Sequence, residues 1–169
     1  MSITKALLHD IFQMSALIND AYRGEESKKG WTTEADLLDG IRTDENTLSE
    51  LMTSPDTVFL KYSSDENIIQ GCVYLEKQNN KMYLGMLSVS PGEQAKGIGK
   101  KLLSEAEKYS IAQQCSIIEI TVISVRNELI GWYEKQGYMR TGHTKPFPTD
   151  NKFGIPRMQL EFIVMQKKI

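Results

Sequence analysis

Residues 81–109, KMYLGMLSVSPGEQAKGIGKKLLSEAEKY, decide how the rest of the chain is read. The stretch opens as an apolar strand, breaks at Pro91-Gly92, and continues as a long amphipathic helix from Gly97 to about Gln113. Ile98, Leu102, Ala106 and Tyr109 recur on one face of that helix; Lys100, Lys101, Glu105, Glu107 and Lys108 take the other. At the joint lies Gln94-Ala95-Lys96-Gly97-Ile98-Gly99. The first N–H groups of a helix have no partner inside it, and the helix dipole adds positive character there. Glycines let a bulky anion approach the backbone. The joint is therefore expected to hold phosphate.

Downstream, residues 116–123 form a β-branched strand. Following a helix, it must pair through a crossover, parallel to its neighbour. Residues 127–136 read as a shorter helix closed by Gly137, and 138–142 as the start of a strand. A Pro- and Gly-bearing loop is expected over 143–157, and a final strand over 158–165. Upstream, 58–62, 68–77 and 82–89 make an antiparallel meander, with Gln78-Asn79-Asn80 as a tight turn. Residues 2–7 read as an edge strand. Asp10 is expected to cap a helix whose buried stripe is Ile11, Met14, Ala16, Leu17, Ile18 and Ala21. Residues 23–32 read as a loop. A second helix then starts at Thr32 or Thr33, with Glu34 and Asp36 in its first turn and Leu37, Leu38 and Ile41 buried; residues 44–52 add a further helical piece.

At 169 residues the chain is expected to be a single domain, 1–169, without repeats or linkers. It is 40% hydrophobic and 25% charged, with a net charge of −2. No basic face points to nucleic acid, no apolar run approaches a membrane span, and the first ten residues lack the apolar block of a signal peptide. Cys72 and Cys115 have no metal or redox spacing and read as buried thiols. The expectation is a metal-free cytoplasmic protein, soluble in a reducing compartment.

The joint gains meaning from a second segment, Trp132-Tyr133-Glu134-Lys135-Gln136-Gly137-Tyr138. Gln94-x-x-Gly97-x-Gly99 after a strand, with Tyr133-Glu134-x-x-Gly137-Tyr138 downstream, resembles the signature of the GCN5-related N-acetyltransferase (GNAT) superfamily. The element order is similar end to end. The resemblance implies an α+β fold: a three-layer α/β/α domain around a mixed, mostly antiparallel seven-stranded sheet whose fourth and fifth strands splay apart. It implies acetyl-CoA as co-substrate. The pyrophosphate would sit on the backbone of Gln94, Ala95, Lys96, Gly97, Ile98, Gly99 and Lys100, and the pantetheine arm along Leu87, Ser88 and Val89. Tyr133 would be the general acid that protonates the departing thiolate. The chemistry agrees, since a thiol of pKa near ~8.5 is a tolerable leaving group for a phenol near ~10 to protonate.

Two positions depart from the family pattern. The Asn that often stands seven residues before the tyrosine is Arg126 here, with Asn127 one later. Either Asn127 takes that role through a small shift, or Arg126 meets the cofactor or caps differently. The glutamate base that histone-type relatives place in the strand before the motif is Tyr83. An acceptor amine of pKa near ~10.4 is only about 0.04% neutral at pH 7, a cost of roughly 4.6 kcal/mol, so its proton needs a route out. If the 78–81 turn sets the register, Glu76 lies opposite Tyr83, and the pair is a candidate proton path beside the alternative of a solvated cross-strand pair.

The acceptor side is expected in the loops 23–32 and 143–157, with Glu25, Trp31 and His143 as candidate substrate contacts beside the plainer reading of each as ordinary surface or packing. The expected reaction is acetyl transfer to a primary amine of a small molecule or peptide, possible as a homodimer. The alternative is a non-catalytic acyl-CoA-binding sensor or interaction module on the same fold. A nucleotide-binding α/β protein fits less well, because Gly97-Ile98-Gly99-Lys100 is neither GxGxxG nor a P-loop.

Overall fold

The computed structural model describes residues 1–152 and 154–169; Phe153, inside the loop expected over 143–157, lies outside the described residues. Among the latter, seven strands form the main sheet: β1 (Ser2–Lys5), β2 (Thr57–Ser63), β3 (Ile69–Gln78), β4 (Lys81–Val89), β5 (Ile117–Ile123), β6 (Met139–Pro146) and β7 (Glu161–Lys168). Their order across the sheet is β1-β2-β3-β4-β5-β7-β6. Only β4 with β5 is parallel. The long helix α3 (Ile98–Ala112) supplies the crossover that such a pair requires.

Successive strand residues point to opposite faces, so strands buried on both sides read as unbroken apolar runs. On one face Phe59, Cys72 and Tyr74 pack against Met14, Leu17 and Ile18 of α1 (Ile11–Tyr22) and Leu48 of α2 (Glu45–Thr53). On the other face their neighbours Leu60, Val73 and Leu75 meet Leu102 and Ala106 of α3 and Ile130 of α4 (Asn127–Lys135). The result is the α/β/α layering the resemblance implies. No helix of the described residues is long and apolar enough to cross a membrane.

The feature that opens a site is a bulge in β4. Cys72 pairs with Ser88 but Tyr74 with Gly85, so Met86 and Leu87 together face Val73. Met86 has φ 48°, outside the range of regular strand. A bulge bends its strand and switches which residues face which side. Leu84 accordingly belongs to the α3 layer, Met86 to the α1 layer, and Leu87 and Val89 return to the α3 layer. β4 and β5 pair only over Lys81–Tyr83 against Ile117–Glu119 and then part.

Some sequence expectations fail. Residues 32–41 are not a helix: Leu38–Asp39 form a two-residue ladder with Ile155–Pro156, and Ile41 is 53% exposed. Glu34 is drawn into a buried ion cluster instead of sitting at a helix start, and that tertiary interaction overrides local propensity. The 23–32 segment holds a helical turn, Gly24–Ser27. Asp10 stands at the N-cap position of α1, but its side chain makes no capping bond to that helix; its carboxylate accepts from the Leu7 amide (2.8 Å) at a 3-10 turn, Leu8–Asp10, and pairs with Lys61 (2.7 Å). Asp44 does cap α2, accepting from Thr47 N at 2.7 Å. β6 runs on through Pro146, so the loop expected from 143 begins later, and the last strand starts at Glu161 instead of 158.

Candidate active site

Helix α3 begins at the glycine-bearing joint. Gly97 is its N-cap with φ 82°, a left-handed conformation that glycine adopts without steric cost. Ala95, two residues earlier, is also left-handed at φ 65°. The first intrahelical bond is Lys101 N–H to Gly97 O (3.1 Å), so the amides of Ile98, Gly99 and Lys100 lie ahead of the ladder. They border a cleft of about 400 Å³ whose other walls are Leu87 and Val89 of β4 and Trp132 and Tyr133 of α4. Unpaired amides on a 15-residue helix, with Lys100 beside them, suit a phosphate. The Gln94 side chain ties the cleft together: Nε2 donates to the Val89 carbonyl (3.2 Å), and Oε1 accepts from the Trp31 amide (3.0 Å).

A second cavity, of about 350 Å³, lies beyond the point where β4 and β5 part. Tyr74, Glu76, Tyr83 and Gly85 form its strand wall, and Arg23, Arg42, Glu50 and Phe147 border it from the surrounding segments. The two cavities share Tyr22, Leu87, Arg126, Leu129 and Tyr133. Tyr133 is thus the buried polar side chain of α4 in the common wall. It is 6% exposed, and the rings of Trp132 (5.0 Å) and Tyr138 (5.4 Å) meet it edge-on. Burial, reinforced by the neighbouring Tyr22 and Tyr138 phenols, raises its pKa well above the ordinary value of 10. It is a neutral hydroxyl at physiological pH. Tyr22, pushed up to about 12 by burial, donates its hydroxyl to the Leu87 carbonyl (3.2 Å).

Glu76 and Tyr83 are paired across β3 and β4, the register the turn predicts. The Glu76 carboxylate accepts a hydrogen bond from the Tyr74 hydroxyl (3.0 Å), a partner the sequence did not suggest. The Tyr83 ring lies back along its own strand over Gly85. A Cβ on Gly85 would stand 3.0 Å from ring atom Cε1 and 3.1 Å from the hydroxyl oxygen. Glycine there lets the phenol lie flat in the cavity.

A buried ion cluster lines the second cavity. Glu34 accepts from Arg23 Nε (2.8 Å) and Arg126 Nη1 (3.0 Å), and all three side chains are under 8% exposed. Arg126 Nη2 donates to Thr32 Oγ1 (2.7 Å), while Nε is buried without a hydrogen-bond acceptor. The Glu128 carboxylate lies 3.7 Å from it. Arg126 therefore occupies the position where Asn is common, and Asn127 turns out to solvent, bordering neither cavity.

Other expected contacts also fall outside both cavities. Lys96 pairs with Glu93 (3.0 Å), and the buried Ser88 hydroxyl donates to the Met86 carbonyl (3.0 Å). Glu25 is exposed and tied to Lys28 (3.0 Å), and His143 is an exposed residue of β6. Trp31 borders the cleft beside α3 rather than the second cavity, 6.3 Å from Trp132. Conversely, Tyr22, Arg23, Glu34 and Arg42 line the second cavity without having been anticipated. Their signal was weak: Glu34 read as a helix-start acid, and nothing in the sequence set Tyr22, Arg23 or Arg42 apart.

Residues 27–161 match the family model described as acetyltransferase (GNAT) domain. No curated protein matches the sequence. Among solved structures, the chain is similar to a ribosomal-protein-alanine N-acetyltransferase from Brucella melitensis at 16% identity, with 100% of each chain covered and a TM-score of 0.73. It is similar to the ribosomal-protein-S18-alanine N-acetyltransferase from Escherichia coli at 14% identity, covering 99% of this chain and 93% of that one, TM-score 0.72. A spermidine N-acetyltransferase chimera from Vibrio cholerae is 15% identical over 99% of this chain and 96% of its own, TM-score 0.71. At these identities the likeness is one of fold.

Proposed function

The chain belongs to the GNAT acetyltransferase family and is an acetyl-CoA-dependent N-acetyltransferase; from that premise we propose that it acetylates the primary amine of a small molecule by direct attack, with Tyr133 as general acid. The observation that carries this reading is the shared wall. A cleft with phosphate-binding features and a second cavity meet at one buried, neutral phenol. When bound, acetyl-CoA supplies a thioester whose acetyl carbon the amine attacks.

Each residue then has a task. The amides of Ile98, Gly99 and Lys100 and the Lys100 side chain hold phosphate. Leu87 and Val89 line the path from that anion site to the second cavity. The proposed chemistry forms a bond from the amine nitrogen to the acetyl carbon and breaks the carbon–sulfur bond, and Tyr133 gives its hydroxyl proton to the leaving sulfur. Burial keeps Tyr133 protonated at physiological pH, so it has a proton to share with the leaving sulfur. The proton released by the amine leaves toward Tyr83 and Glu76 on the opposite wall, with Tyr74 holding the Glu76 carboxylate in place. The cavity of about 350 Å³ is at the small end of ligand sites, which favours a small acceptor over a folded protein.

The test is thiol release from acetyl-CoA against a panel of amines, with the product identified by mass spectrometry. Thiol release matched by N-acetylated amine is the expected result. Release that no amine accelerates would overturn the reading.

A further inference from the structure

The second cavity has two ends. Leu87 and Tyr133 border both it and the cofactor-side cleft. Glu76, Tyr83, Thr121, Pro148 and Phe162 border both it and a further groove of about 330 Å³. That groove runs out to the exposed Gln78 and Lys145, and it shares no lining residue with the cleft. The cavity is therefore a passage, reached from the cleft at one end and from the surface at the other. Strand β4 measures it, with Leu87 at the inner end and Tyr83 at the outer. Four residue steps of about 3.3 Å, less the shortening at the bulge, give a length on the order of 10 Å. That is roughly the length of an extended octylamine. Most of the wall between the ends is apolar. At the outer end Phe162 stacks on Phe147, with ring centres 5.2 Å apart, and both pack with Ile123 of β5. The cations along the wall are engaged by the protein itself. Glu34 holds Arg23 and Arg126, Arg42 lies over the Tyr22 ring, and Lys152 is engaged as well. Glu76 accepts from Tyr74 and stays half-buried at the outer mouth. What the passage offers the body of an acceptor is apolar surface, which favours burying methylenes and rings.

Resting on the acetyl-transfer reading above, we propose that the acceptor is an elongated apolar primary amine, an alkyl- or arylalkylamine, with its nitrogen at Tyr133 and its body lying along the passage to Phe147 and Phe162. A tail longer than the passage leaves through the outer mouth between Tyr83 and Phe162. Each methylene that enters the passage gives up water for apolar wall, so affinity grows with chain length until the passage is filled. Beyond that length added methylenes lie in the open groove and contribute little. A second charge on the body, of either sign, would lose hydration against the apolar wall without a free partner along it.

The test uses the full chain, acetyl-CoA and the straight-chain amines from propylamine to decylamine. Phenethylamine is the aryl arm, and spermidine, α,ω-diamines and free amino acids are the charged arms. Basicity hardly changes along the alkyl series, so the slope reads burial. The expected result is a kcat/KM that rises about three- to fourfold per methylene through the shorter amines and levels off near octylamine. Phe162→Ala should lower the octylamine-to-propylamine ratio by about 10-fold, the worth of two methylenes, and Phe162→Leu should recover most of it. Both rates in that ratio come from one preparation, so a partly unfolded variant does not imitate the effect. A kcat/KM that is flat or falls with chain length would overturn the proposal while leaving acetyl transfer intact. So would spermidine, a diamine or an amino acid turned over better than the alkylamine of matching length. Turnover of none of these amines would instead bring down the acetyl-transfer reading, and this one with it.

Discussion

Replacing Glu34 with Gln removes the carboxylate that Arg23 and Arg126 share. The two contacts are 2.8 and 3.0 Å long and all three side chains are under 8% exposed, so water does little to compensate. Taking one partner from a buried ion pair costs about 3–5 kcal/mol, because a charge is left without its counterion. Glutamine keeps the shape and one carbonyl acceptor. Arg126 keeps Thr32 (2.7 Å), and Arg23 keeps the Ile41 carbonyl (3.3 Å). These survivors place the expected loss near the lower end, about 3 kcal/mol. For a chain of this size that is a fall in Tm of about 6–12 °C. The measurement is urea unfolding followed by tryptophan fluorescence: the midpoint should drop with an unchanged m-value. A loss below about 1 kcal/mol would refute the reasoning, since it would mean the cluster is hydrated in solution. Coupling gives a second check. Glu34→Gln and Arg126→Gln should be strongly non-additive, as expected of side chains in one network.

Further expectations concern catalysis and pH. Gly85→Val should push the Tyr83 ring off its strand and lower kcat/KM by about 100-fold, the scale of a misplaced reacting group, with acetyl-CoA affinity unchanged; a loss under about threefold would remove Tyr83 from the account. Because burial holds Tyr133 well above pKa 10, kcat/KM should rise with pH as the acceptor amine loses its proton, with no falling limb below about pH 10. A falling limb at pH 8–9 would contradict the buried phenol. Asp10 and Glu119 should make the fold acid-sensitive. Burial alone would raise both pKa values, but the Leu7 amide and Lys61 at Asp10, and Gln166 and Lys81 at Glu119, bring them below the ordinary carboxylate value. A depressed folded pKa contributes stability that is present above the unfolded value near ~4 and is lost as pH falls through the folded one. Stability measured from pH 6 down to pH 2 should therefore decline, less steeply in Asp10→Asn.

The strands were legible because their signal is local. Alternation, β-branching and the Gln78-Asn79-Asn80 turn set the β3–β4 register, including the Glu76–Tyr83 pair. The cofactor-side motif was legible for the same reason, since one turn of backbone and the start of one helix make it. Residues 32–41 were misread because their conformation is decided by Arg126, some ninety residues away, through Glu34. Asn127 was left open against Arg126 because a shift of one residue at a helix start turns a side chain from the cavity to solvent, and spacing alone does not resolve it. The acceptor cavity was the least legible part. Its arginines come from the end of α1, the segment before α2 and the start of α4, and nothing in the sequence indicates that these three places meet around Tyr22. Glu25 and His143, the candidates that loop composition offers, face solvent instead.

The central claim is that the phenol between the two cavities delivers the proton to the leaving thiolate. Tyr133→Phe tests it with the smallest change available, since the ring and its edge-on contacts with Trp132 and Tyr138 remain. Single-turnover transfer from acetyl-CoA to an accepted amine, measured beside the Kd for acetyl-CoA, separates chemistry from binding. The account predicts a rate lower by about 10²- to 10⁴-fold with Kd within about threefold of wild type. A Tyr133→Phe enzyme that transfers acetyl within about threefold of the wild-type rate would contradict it.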